Sequence, residues 1–267
     1  MIYRERVDVN VTDSGRFLTG KVAVVTGSGG AMGGAVAVRL AGAGARIVLN
    51  DRVADRVDSH RSAVEAHGVE TISVVASTSR TEGANAVIAA ALEAWGRLDV
   101  LVNVVGGIKG PVQIPVWEIT DEQWDATVAI SLTSAFRCTR AAAPSMMAAR
   151  SGKIVNIAST AWAAPEAGLH PHYAAAKAGV VAFTQSVALQ LALYDINVNA
   201  VAPGATRRSA ALTLEGGDVE APGALPPLGR INEPDDIAEA VAYLVSPGAR
   251  NVSGQLLTVA GGANPSL

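Results

Sequence analysis

Seven short apolar runs, rich in β-branched residues, recur along the chain between longer stretches of helical periodicity. Each run has strand length and is apolar on both faces, which is typical of parallel strands buried from both sides. The runs are KVAVVT (21–26), RIVLN (46–50), TISVVA (71–76), DVLVNVV (99–105), KIVNIAS (153–159), INVNAVAP (196–203) and QLLTVA (255–260). The intervening stretches predict helices over 31–43, 60–67, 81–95, 121–149, 173–194 and 234–245.

Strand–helix alternation with right-handed crossovers predicts a single α/β domain, a doubly wound seven-stranded parallel sheet with helices on both faces. Residues 1–18 predict an N-terminal arm, and the domain spans 19–267. Residues 205–226, rich in Ala, Gly, Pro and Leu, predict a mobile loop with a short helix. Asp121 and Pro234 indicate where two of the helices begin, and Gly44, Gly68 and Gly96 indicate where three of them end.

Composition narrows the class of protein. Of 267 residues, 49% are hydrophobic and 17% charged, which excludes a disordered chain. The formal charge of −3 comes without a basic block, so we expect neither nucleic acid nor an anionic membrane as partner. The charged N-terminus and the absence of a long apolar run predict no secretory signal and no membrane span.

The single cysteine, Cys138, excludes an intrachain disulfide and favours a reducing compartment, so we expect a cytoplasmic protein. Cys138 lies in an alanine-rich helical stretch without a helical His or Asp partner. We interpret it as a buried small hydrophobe, with a nucleophile as the alternative.

The first predicted strand runs into TGSGGAMGG and then a helix. The glycines at 27, 29, 30 and 33 permit a tight turn and close approach of a ligand, and the helix N-terminus suits a pyrophosphate. A plain strand–helix turn is the alternative interpretation. About 20 residues further on, Asp51 ends the second strand, where a carboxylate accepts hydrogen bonds from ribose hydroxyls. It favours NAD over NADP, although the adjacent Arg52 weakens that exclusion because a guanidinium pairs with phosphate; a capping Asp is the alternative.

Tyr173 and Lys177 stand four residues apart in YAAAK, on one face of a predicted helix. A nearby ammonium lowers the pKa of a phenol, so Tyr173 can exchange a proton with an alcohol or ketone oxygen. Ser159 follows a predicted strand and could hold the same oxygen, since strand ends open onto the ligand crevice. A surface pair and a capping serine are the alternatives.

Taken together, these motifs resemble the short-chain dehydrogenase/reductase family over roughly residues 19–263. The resemblance rests on TGSGGAMG (26–33), GRLDVLVN (96–103), IVNIAS ahead of YAAAK, INVNAVAPG (196–204) and PLGRINEPDDIAEAVAYL (227–244). It implies a Rossmann-type fold, a nicotinamide cofactor and a homotetramer or homodimer. It also implies that Lys177 holds the nicotinamide ribose while Tyr173 and Ser159 act on the substrate oxygen.

The residues expected to bind the cofactor come from all of these segments. They are Gly27, Ser28, Gly30, Ala31, Met32, Gly33, Asp51, Arg52, Ser77, Asn103, Val105, Gly106, Tyr173, Lys177, Pro203, Gly204 and Thr206.

Four departures from the family pattern bear on the site. Ala31 replaces the middle glycine of the loop, and Val104-Val105 replace Asn-Ala, which we expect to narrow the site. Ser77 stands where the family often has an adenine-binding Asp. Ser131 aligns with the fourth catalytic residue, an Asn that holds a relay water, so we expect an altered proton relay. An ordinary helix residue is the alternative for Ser131.

Residues around these motifs complete the expected pocket. His170 and His172 flank the catalytic segment, and we favour a loop role over a catalytic one; no metal site is expected. Trp162 either lines the pocket or packs in the core. Apolar residues in and just after the 205–226 loop suggest a mainly apolar substrate; they are Ala211, Leu212, Leu214, Leu225 and Leu228. Glu166 and Arg207 could add polar contacts to the substrate.

The leading hypothesis is an oxidoreductase that transfers hydride between NAD(H) and a small secondary alcohol or ketone. A nicotinamide-binding regulatory or structural subunit without turnover is the alternative from another class, motivated by Ser131 and the two valines. Acyl-thioester ketoreduction is a subset of the leading hypothesis. Dehydration or epimerisation on the same fold has no supporting feature in the sequence.

Overall fold

A seven-stranded parallel sheet forms the centre of the computed structural model, which describes residues 15–111, 114–163, 170–207 and 225–263. The strands are β1 (Val22–Thr26), β2 (Arg46–Asp51), β3 (Thr71–Val75), β4 (Val100–Asn103), β5 (Gly152–Ile157), β6 (Ile196–Pro203) and β7 (Leu256–Val259). Their order is β3-β2-β1-β4-β5-β6-β7, and all neighbours are parallel. The predicted α/β class and seven-stranded sheet are confirmed. The order reverses between β1 and β4, which opens a ligand crevice at the carboxyl ends of these strands.

Helices cover both faces of the sheet. They are α1 (Ala31–Gly42), α2 (Ala54–Val57), α3 (Arg61–Glu65), α4 (Thr81–Trp95), α5 (Asp121–Val128), α6 (Ser134–Ala149), α7 (Pro171–Leu191) and α8 (Pro234–Val245). Short 3-10 turns occupy Val116–Glu118, Thr160–Trp162, Ala192–Tyr194 and Pro247–Ala249. The predicted bounds of α4 and α8 match the structure, and the three glycines expected to end helices have positive φ.

The core consists of two layers, one on each side of the sheet. Alternate side chains of β1 enter opposite layers, because successive residues of a strand point to opposite faces. Ala23 and Val25 pack with α1 and α8, whereas Val22 and Val24 pack with α4 and α6. This double burial explains why the strands are apolar without alternation.

The predicted helix 121–149 is divided in the structure. α5 begins with a capping box in which Thr120 and Gln123 bond reciprocally, and a π-helical turn, Ala129–Thr133, separates α5 from α6. A single π turn inside a helix is rare and often lies at a functional site. The turn carries Ser131, one of the predicted site residues.

Two further differences have local causes. The four residues of α2 were not predicted, because the segment ADRV is too short and polar to show periodicity. The predicted strand 99–105 ends at Asn103, because the Val104 and Val105 amides donate to Thr26 Oγ1 (3.1 and 3.4 Å) rather than to a neighbouring strand.

The start of the domain reaches into the predicted arm. Leu18 is buried, its amide donates to the Ala43 carbonyl (2.8 Å), and Phe17 packs beside it. Residues 1–14 lie outside the described residues.

Helix α7 and the turn after it, Pro171–Tyr194, are long and apolar enough to pass a composition test for a membrane span. One face of α7 is part of the core, where Val180 and Val181 pack against Ala200 and Ala202 of β6. A core helix of an α/β domain passes the same test, and the composition is explained by this packing.

Candidate active site

The glycine loop joins β1 to α1 at the crevice. Gly30 is the N-cap of α1, and no described side chain caps this end of the helix. The first backbone N–H groups of α1 therefore remain available to an anion, and the positive end of the helix dipole favours one. Ser28 is buried, and its amide (2.9 Å) and hydroxyl (3.3 Å) both donate to the Asn50 carbonyl, which ties the loop to β2.

Two glycines of this loop have different surroundings. A Cβ on Gly33 would overlap the Gly27 carbonyl oxygen, so the helix lies against the loop without room for a side chain. A Cβ on Gly30 would lie 3.5 Å from the Gly27 oxygen and 3.8 Å from Arg56 Nη2, both ordinary contacts. The loop is therefore closed on the side of Gly33 and open at Gly30, where a dinucleotide phosphate would fit.

Asp51 borders the same loop. Its Oδ1 accepts from the Val53 amide (3.0 Å), and its Oδ2 would be 2.7 Å from a Cβ on Gly29. The carboxylate is 8% exposed. The structure thus brings Asp51 to the glycine loop, as the ribose interpretation requires.

A cleft of about 670 Å³ lies at the outer end of the crevice, and Arg52 and Ser77 line it. Seven further lining residues were not identified from the sequence, and the polar ones among them are Ser79, Arg80, Glu82 and Lys109. Arg56 was also missed, and its guanidinium lies 3.5 Å from the Gly29 carbonyl. Spacing gives no signal for these residues, because they come from the junction of β3 and α4, from the loop after β4 and from α2, which was not predicted.

Lys177 and Tyr173 lie on one face of α7, with Lys177 Nζ 5.7 Å from the centroid of the Tyr173 ring. Lys177 is 2% exposed, and Nζ donates to the Ile157 carbonyl of β5 (2.6 Å). Burial lowers the pKa of Lys177 to about 8. Below that pH an ammonium next to the phenol favours the phenolate form of Tyr173.

Ser159 follows β5 two residues after Ile157. Its Oγ accepts from the Ala161 amide (3.2 Å), which leaves the hydroxyl proton without an acceptor among the described residues. Ser159 thus lies just beyond the carboxyl end of β5, the strand to which Lys177 is bonded through Ile157.

Ser131 is buried and exchanges two hydrogen bonds with Gly107. Its Oγ donates to the Gly107 carbonyl (3.0 Å) and accepts from the Gly107 amide (3.2 Å). A Cβ on Gly106 would lie 2.8 Å from Lys177 Nζ and 3.7 Å from Ser131 Oγ, so Gly106 separates these two groups. Because the single hydroxyl proton is already donated, one lone pair remains, and a water could donate to Ser131 but not accept from it.

Asn103 points into the protein. Its Nδ2 donates to Asn156 Oδ1 (2.8 Å), and Asn156 Nδ2 donates to Thr184 Oγ1 of α7 (2.9 Å). The side chain expected to reach the cofactor is therefore part of an internal chain of hydrogen bonds. Val105, by contrast, packs on the loop, with its Cγ2 3.2 Å from the position that a Cβ on Gly27 would occupy.

The segment after β6 borders the crevice on the other side. Gly204 donates to the Val259 carbonyl (2.8 Å), and Thr206 Oγ1 donates to the Gly204 carbonyl (3.0 Å). Arg207, expected to contact the substrate, pairs with Glu233 (2.7 Å) instead.

Three residues of the predicted substrate loop, Ala211, Leu212 and Leu214, lie outside the described residues. So does Glu166, which was expected to make a polar contact with the substrate. Leu225 and Leu228 are described and exposed (64% and 74%).

Of the remaining candidates, Trp162 is half-buried and the others are buried. Trp162 packs against the cluster of Ala158 and Val180, which supports the core interpretation. Cys138 is fully buried, and burial raises the pKa of its thiol to about 12, so it is inert. His170 and His172 are both buried beside Tyr173, rather than in an exposed loop.

Comparisons with known proteins agree with this arrangement. The family model described as enoyl-(acyl carrier protein) reductase matches residues 27–264. The chain is 35% identical over 242 residues to (2S)-[(R)-hydroxy(phenyl)methyl]succinyl-CoA dehydrogenase subunit BbsD of Thauera aromatica, covering 91% of this chain and 96% of that protein. It is 34% identical over 247 residues to a 3-oxoacyl-[acyl-carrier-protein] reductase of Synechocystis, covering 92% and 97%. The crystal structure of levodione reductase superposes with a TM-score of 0.85 at 30% identity, covering 94% of this chain and all of that one.

The different surroundings of Gly33 and Gly30 generate a prediction about the apoprotein. Gly33→Ala should lower its free energy of unfolding by about 1–3 kcal/mol, because the new methyl group must displace the loop. Gly30→Ala is the matched control and should leave stability nearly unchanged, since its methyl group has room and its φ of −90° suits alanine. Urea denaturation followed by circular dichroism measures both variants, and equal stabilities would contradict the loop geometry.

Proposed function

The chain belongs to the short-chain dehydrogenase/reductase family, and we propose that it transfers hydride between NAD(H) and a secondary alcohol or ketone, with Tyr173 as general acid/base. The family consists of oxidoreductases that bind a nicotinamide cofactor. The observation that carries the proposal is the buried Lys177 Nζ beside the Tyr173 ring, because this charge makes a phenol useful as a base near neutral pH.

Three residues, Tyr173, Ser159 and Lys177, have separate roles in the proposed reaction. Bound nicotinamide supplies the hydride acceptor or donor. Tyr173 takes the proton from an alcohol, or gives one to a ketone oxygen, while the Ser159 hydroxyl donates a hydrogen bond to the same oxygen and keeps its proton. Lys177 stabilises the phenolate and, held by the Ile157 carbonyl, stays in a fixed position. Fixed reactants lower the barrier because they need not be brought together again.

We infer that the proton relay through Ser131 differs from that of the family. Ser131 donates its proton to the Gly107 carbonyl, so a relay water would have to be the donor toward Ser131. The chain of hydrogen bonds would then have a fixed direction at Ser131, with the water donating and Ser131 accepting. The catalytic role of Ser131 is accordingly to orient a water and the Gly106-Gly107 backbone.

NAD is the proposed cofactor, because Asp51 lies at the glycine loop, where its charge repels a 2′-phosphate. Arg52, Arg80 and Lys109 in the outer cleft counteract that repulsion in part. We propose a mainly apolar small-molecule substrate, since the exposed Leu225 and Leu228 lie next to the predicted substrate loop. Acyl-thioester ketoreduction is a second candidate, favoured by the names of the Thauera and Synechocystis relatives.

Tyr173→Phe should lower kcat by about 100-fold or more, because the phenol proton is lost while the ring remains. NADH binding should be nearly unchanged. Turnover is measured by NADH absorbance on a panel of alcohols, ketones and acyl thioesters, with Tyr194→Phe in the 3-10 turn after α7 as matched control. Substantial residual turnover in Tyr173→Phe would exclude Tyr173 as the acid/base. A wild-type protein that binds NADH but turns over nothing in the panel would favour the regulatory alternative.

The wild-type protein should bind NADH more tightly than NADPH, and Asp51→Asn should reduce the ratio of the two affinities by about tenfold as the repulsion is removed. The control is Asp55→Asn on α2, an exposed carboxylate with the same change of charge. Fluorescence titration measures the affinities for NADH and NADPH in each protein. An unchanged ratio in Asp51→Asn would show that Asp51 does not select the cofactor.

We propose that the protein self-associates through the exposed face of α6 and α7. Phe136 of α6 is 40% exposed and meets Phe183 of α7 edge-on, with ring centroids 6.2 Å apart. On the same helix and the turn that follows, Leu189 and Leu193 are 79% and 75% exposed. A large apolar patch on a water-soluble domain marks an interaction surface. A second copy of this chain is the proposed occupant, as family membership implies a homotetramer or homodimer.

Leu189→Glu combined with Leu193→Glu should shift the protein toward a smaller species, because two charges would be buried unpaired in the interface. Sedimentation velocity measures the distribution of species. The control is Val75→Glu, an exposed apolar position on the edge strand β3 at the other side of the sheet. A monomeric wild-type protein would refute the proposed interface.

A further inference from the structure

The loop after β4, residues 104–110, borders the crevice at two places. A Cβ on Gly106 would lie 2.8 Å from Lys177 Nζ, so the start of the loop lies against that amine. Three residues later, Lys109 lines the outer cleft together with Arg52 and Ser77. The course of this short loop therefore decides where the Lys109 side chain enters the cleft.

Two side chains of the helix that carries Ser131 hold this loop. Ser131 exchanges two hydrogen bonds with Gly107, and Thr127 Oγ1 accepts from the Lys109 amide (3.0 Å). Thr127 and Ser131 are four residues apart, and Gly107 and Lys109 are two apart, so the loop runs antiparallel to the helix. Of these two contacts, only the one from Thr127 acts on Lys109 itself.

The contact from Thr127 is protected from water. Thr127 is fully buried in the last turn of α5. One helical turn earlier, a Cβ on Gly110 would lie 2.8 Å from Gln123 Nε2, so the loop also touches the first turn of α5. Without the threonine oxygen, the Lys109 amide would lose its acceptor in a place where water does not readily replace it.

Cations outnumber acids along the outer cleft. Arg52, Arg80 and Lys109 line it, against Glu82. Within the described part of the chain, none of these four side chains forms an ion pair. Arg80 is also the N-cap of α4, whose first turn no described side chain caps. Three cations from separate segments repel one another in one cleft, and an anionic ligand would relieve that repulsion.

The proposed cofactor supplies two kinds of anion. Its pyrophosphate is common to NADH and NADPH, whereas NADPH carries a further phosphate on the adenosine ribose, with a charge of about −1.5 to −2. Asp51, which repels that phosphate, is not among the residues that line the outer cleft. An attraction from the cleft and a repulsion from Asp51 therefore act on the same group from different places.

We propose that Lys109 is a specificity-determining residue that favours a cofactor with a phosphorylated adenosine ribose, and that Thr127 is the positioning residue that holds it in the cleft. This inference rests on the proposed function, because it takes the outer cleft as the adenosine end of the cofactor site. The preference between NADH and NADPH is then the balance of two opposed charges, Lys109 and Asp51.

Lys109→Gln should raise the ratio of NADH affinity to NADPH affinity by about fivefold, because a half-buried cation near the extra phosphate is lost. Fluorescence titration with each cofactor measures the ratio. The control is Arg250→Gln, which removes an exposed cation just before β7, at the opposite end of the strands. It should keep the wild-type ratio.

Thr127→Val keeps the shape of the side chain and removes the acceptor of the Lys109 amide. It should raise the same ratio by about threefold, and Thr127→Ser, which keeps the hydroxyl, should restore the wild-type value. In the Lys109→Gln background, Thr127→Val should not change the ratio further, because Thr127 acts on it through Lys109. A merely structural role would lower both affinities alike and leave the ratio unchanged in either background.

An unchanged ratio in Lys109→Gln, with both cofactors still bound, would overturn this inference and leave the proposed reaction standing. Equal effects of Thr127→Val with and without Lys109 would reject the positioning role. Hydrogen exchange in the wild-type protein tests the same contact without a variant, and a rapidly exchanging Lys109 amide would also reject it. A wild-type protein that binds neither cofactor would count against the proposed function and this inference together.

Discussion

The contact between Lys177 Nζ and the Ile157 carbonyl is the interaction on which the site depends. It ties α7 to the centre of the sheet and places an amine where water does not reach. The pKa of this group falls from its ordinary 10.5 to about 8, because burial penalises the charged form. Between these two values the unfolded chain binds a proton that the folded chain lacks, so rising pH stabilises the fold across that window. At neutral pH the buried charge lowers the stability of the fold, and the same charge favours the phenolate form of the adjacent Tyr173.

A second link between α7 and the sheet supports the first. The chain of hydrogen bonds Asn103–Asn156–Thr184 connects β4, β5 and α7, and Thr184 lies two helical turns beyond Lys177. Residues seven apart on a helix share a face, so both links act on the same side of α7. Together they fix the rotation of the helix about its axis, and that rotation decides where the Tyr173 ring lies relative to Ser159. Asn103 thus serves the site from within, without facing the crevice.

Periodicity was sufficient to predict the sheet, because strands buried on both faces have apolar runs that loops and amphipathic helices lack. Spacing was sufficient for Tyr173 and Lys177, since an i, i+4 pair must share a helix face. What spacing does not reveal is how a side chain uses its hydrogen bonds. Ser131 and Asn103 were placed in the correct region, yet the hydroxyl of one is bonded to Gly107 and the amide of the other to Asn156. Arg80 and Lys109 of the outer cleft were missed because tertiary folding alone brings their segments together with Arg52.

The short distance between the Gly106 position and Lys177 Nζ restricts how such a site can diversify. A Cβ at position 106 would overlap Lys177 Nζ, so a side chain there would have to displace the buried amine from its place near the Tyr173 ring. This wall of the crevice is therefore closed to variation for a steric reason. The chemistry is anchored on β5 and α7, and diversification of substrate recognition is left to other segments that border the crevice, such as the one after β6.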